Sequence, residues 1–226
     1  MRKLAILIFV TAVLAALGAA QGPRGGFGPQ TPYTLVTRKD VGKELKLTDD
    51  QGAKIRAAQD DMGQKRGQVF QDNQGDMDAI MKGMTKLNDE FATTVKGIIS
   101  ADQFKRLLEI HIQRTGTMSV TDADVQKAIK LTDDQVKEIK GLQDKQAAAN
   151  RSLFQKVGSG ELDRTEAFAD MQKNNDALKT AIEKVLTDAN KADLKTAGGE
   201  AFTFDKDEPF GGGFGRPPGG GGGGGN

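Results

Sequence analysis

The chain has 226 residues with no Cys, no Trp and a single His, and its 32 basic side chains nearly balance its 31 acidic ones. A near-neutral charge argues against nucleic-acid binding as a main function, because such binding depends on long-range attraction to phosphates. Without Cys, the chain forms no disulfide and offers no thiolate to a metal ion.

The first twenty residues have the pattern of a secretory signal peptide. Arg2 and Lys3 precede an apolar run at 4–17, and the small residues up to Ala20 suit a signal peptidase. The run is short for a bilayer span, so we expect cleavage near Ala20, with an uncleaved membrane anchor as the alternative. No Cys follows the run, which excludes a lipoprotein. The mature protein is expected to be periplasmic or secreted, with no membrane span and no access to ATP.

Both ends of the mature chain are rich in Gly and Pro. Residues 21–32 and 205–226 together hold 15 of the 29 glycines. Segments of this composition bury too little apolar area to offset the entropy of ordering them. We therefore predict a disordered linker at 21–32, a disordered tail at 205–226, and a folded body between them.

The body contains an internal repeat. Residues 36–51 and 120–135 align without a gap at an offset of 84, with 11 identities in 16 positions. A match of this quality indicates a duplication, and the repeat length exceeds the familiar solenoid periods. We divide the body into a first half at 33–117 and a second half at 118–204.

The pentapeptide LTDDQ occurs in both copies, at 47–51 and 131–135. A Ser or Thr followed three residues later by Glu or Gln forms a capping box, in which each side chain pairs with the other's backbone N–H. The two Asp residues between them suit the positive end of a helix dipole. The motif residues predicted to cap helices are Leu47, Thr48 and Gln51 in the first copy and Leu131, Thr132 and Gln135 in the second.

Degenerate copies of the same motif follow later in each half. They consist of Ile99, Ser100 and Gln103 in the first half and of Leu186, Thr187 and Asn190 in the second. Two further helix starts are predicted at Thr37 and Thr121, just before the LTDDQ segments. Each half is thus expected to contain three helix starts.

Apolar residues recur every three or four positions between these starts, which is the spacing of an amphipathic helix. Breaks fall at 72–75 and at 158–160, so each half is expected to form a long helical hairpin, at about 49–98 and 133–186, followed by a shorter helix. We predict an all-α fold. The apolar positions are Ile80, Met84, Leu87, Phe91, Val95, Ile98, Val136, Ile139, Leu142, Leu153, Val157, Phe168, Met171, Leu178, Ile182 and Val185.

The motifs resemble those of the Spy/CpxP family of periplasmic proteins, whose members carry two LTxxQ motifs around a helical hairpin. The segments 47–51 and 131–135 match the motif in full, whereas 99–103 and 186–190 depart from it. The resemblance implies a thin, curved helical cradle and a role in envelope stress. Members similar to Spy hold partly unfolded proteins without ATP, and those similar to CpxP modulate stress signalling.

Family members form dimers of one unit with two motifs, whereas this chain holds two such units. The resemblance therefore implies a covalent pseudo-dimer that is monomeric in solution. The implied partners are unfolded or partly folded envelope proteins, and no cofactor is implied.

A row of Met residues is a candidate client-contact surface. Met77, Met81 and Met84 fall at i, i+4 and i+7 on one helix face, and flexible Met side chains suit contacts with many partners. The preferred interpretation is nevertheless ordinary packing between the helices of the hairpin.

The sequence gives little support to a metal sensor or to an enzyme. A metal sensor would use clustered ligands, but His111 has only Glu109 nearby, and the Asp pairs at 60–61 and in the LTDDQ segments are better explained as helix caps. We expect no metal site, and we expect His111 at a helix surface or partly buried. No nucleophile has a His partner and no carboxylate pair stands in a catalytic pattern, so no enzyme is predicted. A non-catalytic interaction or structural protein of the envelope remains the alternative to the chaperone.

Overall fold

A computed structural model describes residues 31–208. The predicted signal peptide, the segment 21–30 and the tail from 209 onward lie outside the described residues. Within 31–208 the chain is all-α and contains no strand, as predicted. The helices are α1 at Pro32–Leu35, α2 at Lys39–Glu44, α3 at Asp49–Asp72, α4 at Met77–Ile98, α5 at Ala101–Thr115, a 3₁₀ helix at Gly116–Thr121, α6 at Ala123–Ala128, α7 at Asp133–Ser159, α8 at Arg164–Val185 and α9 at Asp188–Ala197.

The four long helices form two pairs. Helix α3 packs along α4, and α7 packs along α8, with four-residue connections at 73–76 and 160–163. The connections contain Gly75 and Gly160, which adopt φ values of 86° and 77° that favour glycine. The breaks expected near 72–75 and 158–160 are therefore present. None of the helices within the described residues is long and apolar enough to cross a membrane.

Corresponding helices of the two halves start at nearly constant spacing. Helices α6 and α7 begin 84 residues after α2 and α3 (123 − 39 and 133 − 49), whereas α8 and α9 begin 87 residues after α4 and α5 (164 − 77 and 188 − 101). The change in spacing arises because α7 has 27 residues and α3 has 24. Three residues of extra helix are thus accommodated inside the second pair.

The turn before each LTDDQ motif has the same unusual backbone in both halves. Lys46 and Lys130 adopt left-handed φ values of 51° and 54°, and they are the only residues other than Gly with positive φ among those described. Leu47 N donates to Gly42 O and Leu131 N donates to Gln126 O, both at 3.0 Å. This is the hydrogen bond of a Schellman motif, which ends a helix sharply and re-aims the chain into the next one.

The predicted starts at Thr37 and Thr121 are wrong by one residue. Helix α2 begins after Arg38 and α6 begins after Asp122, while the two Thr hydroxyls donate to carbonyls three residues earlier. Asp122 Oδ1 accepts from Asp124 N at 2.8 Å and caps α6, because an Asx side chain at this position reaches the free N–H groups of the first turn.

Buried apolar side chains form two clusters, one from the first half and one mainly from the second. The first cluster contains Tyr33, Leu35, Val36, Val41, Leu45, Ile55, Phe91, Val95, Ile99, Leu107 and Ile110. The second contains Ile112, Val120, Val125, Ile129, Ile139, Leu178, Ile182, Leu186 and Leu194. Because Leu107 and Ile110 belong to the first cluster and Ile112 to the second, α5 lies between the two clusters and is buried on both sides.

A polar contact also joins the halves beside α5. Asp124 of the second half accepts a hydrogen bond from Tyr33 Oη at 2.7 Å and pairs with Lys96 Nζ at 2.7 Å. The Lys96 ammonium lies 5.2 Å from the centroid of the Phe104 ring. Burial, together with the bond to Asp124, raises the pKa of Tyr33. The carboxylate is therefore held by two donors of the first half.

His111 on α5 is buried, with 2 % of its surface exposed, so the expectation of a helix-surface or partly buried residue is wrong. Its Nδ1 has no hydrogen-bond partner in the described part of the chain. Burial disfavours the charged imidazolium and lowers the pKa of His111 to about 4. The sequence could not show this, because the burial arises only where both halves close on α5.

We predict that His111 makes stability fall as the pH falls from about 6.5 to about 4. The folded state keeps the imidazole neutral in this window while the unfolded chain binds a proton, so stability rises with pH. The full difference is about 3 kcal/mol. Urea unfolding of the wild type and of His111→Leu is measured at pH 7.5, 6, 5 and 4.5. The difference between the two proteins isolates the contribution of His111, because the carboxyl groups titrate equally in both. Parallel pH profiles for the two proteins would show that His111 does not titrate as stated.

Candidate functional site

Each LTDDQ motif forms a capping box at the start of a long helix. Gln51 N donates to Thr48 Oγ1 at 3.2 Å, and Thr48 N donates to Gln51 Oε1 at 3.0 Å. Thr132 and Gln135 form the same box at the start of α7. The degenerate motifs, at Ser100 and at Thr187, form boxes at the starts of α5 and α9. Ser and Asn are tolerated because they carry the same hydrogen-bonding groups on shorter side chains.

The two motifs of the first half meet through their glutamines, which we call the glutamine clasp (Gln51 and Gln103). Gln51 Nε2 donates to Gln103 Oε1 at 2.9 Å, and Gln103 Nε2 donates back to Gln51 Oε1 at 3.1 Å. Gln51 Nε2 also donates to Ile98 O at 2.9 Å, and Gln103 Nε2 also donates to Leu45 O at 3.1 Å. The clasp thus joins four helix ends: those of α2 and α4 and the starts of α3 and α5.

The second half has a shorter version of this clasp. Gln135 Nε2 donates to Val185 O at 3.0 Å and to Asn190 Oδ1 at 2.8 Å. Asn190 is one methylene shorter than Gln103, and in the described residues it makes no bond corresponding to that from Gln103 to Leu45 O. The substitution of Asn for Gln therefore leaves three helix ends joined in the second half instead of four.

The geometry indicates a structural role for the motif residues. Their side chains are used in bonds to helix ends, and the aspartates between them are exposed in the first turn, where Asp50 pairs with Lys54 at 2.7 Å. Such exposed pairs contribute little to stability.

Two of the acidic residues considered as metal ligands, Asp61 and Glu109, are paired with basic side chains. Asp61 contacts Lys65 at 2.9 Å, and Glu109 contacts Arg106 at 2.8 Å. Within residues 31–208, no group of three or more His, Asp or Glu side chains is placed to hold a metal ion. The expectation of no metal and no cofactor stays a prediction.

The large exposed apolar side chains of the described residues lie near the connected ends of the helix pairs. We call Phe70, Met77, Met81 and Phe168 the tip surface; they are exposed to 47, 39, 48 and 48 %. Phe70 lies at the end of α3, the two Met residues at the start of α4, and Phe168 at the start of α8. The tip surface lies at the opposite end of the long helices from the clasps.

The tip surface corrects two expectations. Met77 and Met81 do not pack between α3 and α4 as the preferred interpretation held, and only Met84 is half-buried. Phe168, which the helical spacing placed among the packed positions, is also exposed. Spacing identifies the apolar face of a helix, but it does not show whether a second element covers that face.

The first tip lies against the second helix pair. Asp78 at the start of α4 pairs with Arg151 of α7, with 3.0 Å between Oδ1 and Nε. Close to this tip, α3 and α4 approach at Gly83, where a Cβ would lie 2.8 Å from Val69 Cγ1. The tip of the first pair therefore lies beside α7, joined to it by one exposed ion pair that constrains it only weakly.

A second surface feature is a shallow groove between α7 and α8. It is lined by Glu138, Leu142, Asp176, Ala177, Thr180, Ala181 and Lys184. The lining mixes small apolar and charged side chains and contains no nucleophile paired with a base, so it offers no catalytic arrangement.

Comparison with protein-family models, curated proteins and solved structures finds no match for this chain. The resemblance to the Spy/CpxP family therefore rests on the motifs themselves, and the functional argument rests on the geometry.

Phe70 is the tip residue that sequence reasoning missed. It stands in the polar segment QVFQDNQGD, one helical turn before a break. An aromatic residue in such a segment has no apolar residue at helical spacing to pack against. This isolation is the feature of the sequence that could have identified Phe70 as exposed.

We predict that Thr48→Ala and Thr132→Ala each reduce the free energy of unfolding by about 1 kcal/mol, because each removes a helix cap. Binding of any partner should be unchanged. Urea unfolding measures the first effect, and a binding or aggregation assay at a temperature where both variants are folded measures the second. Intact stability combined with lost binding would make the motif a contact site instead of a cap.

We predict further that Gln103→Ala is more damaging than Gln103→Asn. The Asn variant copies the second half and loses chiefly the bond to Leu45 O, worth about 1 kcal/mol, whereas the Ala variant also leaves Gln51 without its partner. A double-mutant cycle between Gln51→Ala and Gln103→Ala should give a coupling of about 1 kcal/mol or more. Additive effects in that cycle would show that the two glutamines do not act as one clasp.

Proposed function

We propose that the protein is an exported, ATP-independent chaperone that resembles Spy and CpxP and holds unfolded or partly folded envelope proteins. The observation that carries the proposal is the tip surface: two Met and two Phe side chains are exposed at the ends of long helix pairs. Surface apolar side chains that are grouped at one end of a molecule mark contact sites more often than scattered ones do.

The residue types suit weak contacts with many partners. Met has three rotatable bonds and a polarisable sulfur, so it fits surfaces of different shape. Full burial of one such side chain contributes roughly 1.5–3 kcal/mol, and association costs several kcal/mol in lost freedom. Four residues therefore support a reversible contact and not a permanent one, which is what release without ATP requires.

The location of the tip residues favours an elongated partner. The helix α3 has 24 residues, so at about 1.5 Å per residue the tips lie roughly 36 Å from the clasps. Charged pairs such as Asp78 with Arg151 border the apolar groups. A partly unfolded chain, which offers apolar and charged groups in alternation, fits such a surface better than a small ligand does.

The alternative is a non-catalytic interaction or structural protein of the envelope with one fixed partner. The same tip surface would serve that role, so an assay of general protection separates the two. A periplasmic metal sensor has less support, because Glu109 and Asp61 are occupied by salt bridges.

We predict that the mature chain slows aggregation of a chemically denatured model protein at a stoichiometric ratio and without ATP. Combined replacement of Phe70, Met77 and Met81 by Ser should reduce this protection several-fold, because it removes the apolar contacts while leaving the buried clusters intact. The matched control replaces Ala147, Ala148 and Ala149, which are exposed on α7, by Ser. Equal protection by both variants would remove the tip surface from the proposal, and no protection by the wild type would favour the fixed-partner alternative.

We predict also that the mature chain is monomeric. Helix α5 is covered on one side by the first cluster and on the other by the second, so the contact that a dimer would supply is made within one chain. Light scattering at micromolar and at tenfold higher concentration should give the mass of one chain. A stable dimer would contradict the pseudo-dimer interpretation without bearing on the aggregation assay.

A further inference from the structure

The segment that follows α9 crosses back to the first half, and we call residues 199–208 the strap. It forms no helix at 201–205 and contacts α5 and then α2. Composition placed 205–208 in the disordered tail, yet these residues make specific contacts with the start of the body. The strap is thus an extended peptide lying on a surface made by other parts of the chain.

Side chains of α5 hold the backbone of the first part of the strap. Gln113 Oε1 accepts from Phe202 N at 2.8 Å, and Gln113 Nε2 donates to Glu200 O at 2.7 Å. Arg106 Nη1 donates to the same carbonyl at 2.8 Å. These bonds involve backbone groups of the strap, so they recognise an extended chain without regard to its side chains.

The middle of the strap supplies two aromatic rings at alternate positions. Phe202 and Phe204 contact each other edge to face, with 4.9 Å between centroids, and both pack against the first cluster. The Phe204 ring lies 5.5 Å from the Arg38 guanidinium carbon and 5.8 Å from that of Arg114. At these distances the rings and guanidinium groups attract each other.

The last part of the strap binds beside α2. Arg38 donates to Asp205 O at 3.1 Å and to Glu208 O at 2.7 Å. The Glu208 carboxylate accepts from the backbone N–H groups of Lys39 and Asp40. The acidic end of the strap therefore meets a basic side chain and two backbone donors.

The surface under the strap carries charges of both signs, because Arg38 pairs with Asp40 and Arg106 pairs with Glu109. Arg38, Arg106 and Arg114 line it, and Arg38 is 4 % exposed with the strap in place. Both Arg38 and Arg114 lie beside the Phe204 ring, and burial and then the positive charge of Arg38 lower the pKa of Arg114. The preference for an acidic residue comes from the backbone N–H groups of Lys39 and Asp40, which bind the Glu208 carboxylate.

The strap enters this surface through a single glycine. Gly199 has a φ of 63°, and a Cβ there would lie 2.4 Å from the Glu109 carboxylate carbon. Any other residue at 199 is therefore opposed by both the backbone conformation and the side chain of Glu109. The docked position of the strap thus depends on one residue that belongs to neither buried cluster.

We propose that the groove formed by Arg38, Arg106, Gln113 and Arg114 is a peptide-binding site for extended segments that carry two aromatic residues at alternate positions and an acidic residue four positions after the second. The strap is its resident ligand. A tethered segment competes at high effective concentration, so it occludes the site against the same peptide in solution. The proposal is independent of the chaperone function, because it concerns the opposite end of the helix pairs from the tip surface.

The test uses a fluorescent peptide with the sequence of residues 199–208 and the full mature chain. Gly199→Val should release the strap, seen as faster amide exchange of 200–208, and should bind the peptide at least tenfold more tightly than the wild type. A peptide with Ser in place of both Phe residues should not bind. Gln113→Ala in the released chain should weaken binding. Gly97→Val is the control, since a side chain at Gly97 meets nothing within 4 Å.

Two other outcomes would overturn the proposal, and a second variant is used if Gly199→Val does not release the strap. If the strap is released but the peptide does not bind, the strap is a structural segment and the groove is not a peptide site. If the wild type and the variant bind the peptide equally, the peptide binds elsewhere. If Gly199→Val leaves the strap docked or does not fold, Phe202→Ser combined with Phe204→Ser replaces it. Loss of folding in that variant as well would refute the proposal, because the strap would then be required for the first cluster.

Discussion

The structure depends on satisfying helix ends at the base of two long helix pairs. Helix α3 buries Ile55 and α7 buries Ile139 among 24 and 27 residues, so burial of apolar surface alone cannot fix where these helices begin and point. The free N–H and C=O groups at helix ends must also find partners. The clasp of Gln51 and Gln103 meets both requirements, because two amide groups join four helix ends.

Most of the buried side chains of the long helices lie toward the clasps, although Ile80 and Ala167 are buried near the tips. Ile55 and Ile139 lie in the first two turns after the clasps, whereas the last turns of α3 carry the exposed Phe70. Segments with few buried apolar contacts open at lower free energy than segments with many. The tips are consequently the part of the molecule best able to adjust to a partner, and the base is the part that holds them in place. The weak Asp78 contact to Arg151 steadies the first tip without fixing its side chains.

Local features were predictable from sequence, and features created by the meeting of distant segments were not. The capping boxes, the helix breaks and the all-α class follow from residues within a few positions of each other. The bond between Gln51 and Gln103 spans 52 residues, and the burial of His111 needs both clusters. Met77 and Phe168 lie at the predicted helical spacing, but the spacing does not show that their side chains remain exposed. Phe202 and Phe204 were included in the body, yet their place on α5 has no local signal.

The two halves differ where the strap binds, and the differences act together. Arg38 corresponds to Asp122 at the offset of 84, and Asp122 caps its own helix whereas Arg38 binds the strap. At the offset of 87, Arg106 corresponds to Asp193, which carries the opposite charge, and Gln113 and Arg114 correspond to positions beyond the end of α9 at Ala197. Four positions that hold the strap in the first half therefore have no equivalent in the second. These differences explain why a chain with two similar halves has the strap groove in its first half alone among the described residues, while the capping boxes occur in both.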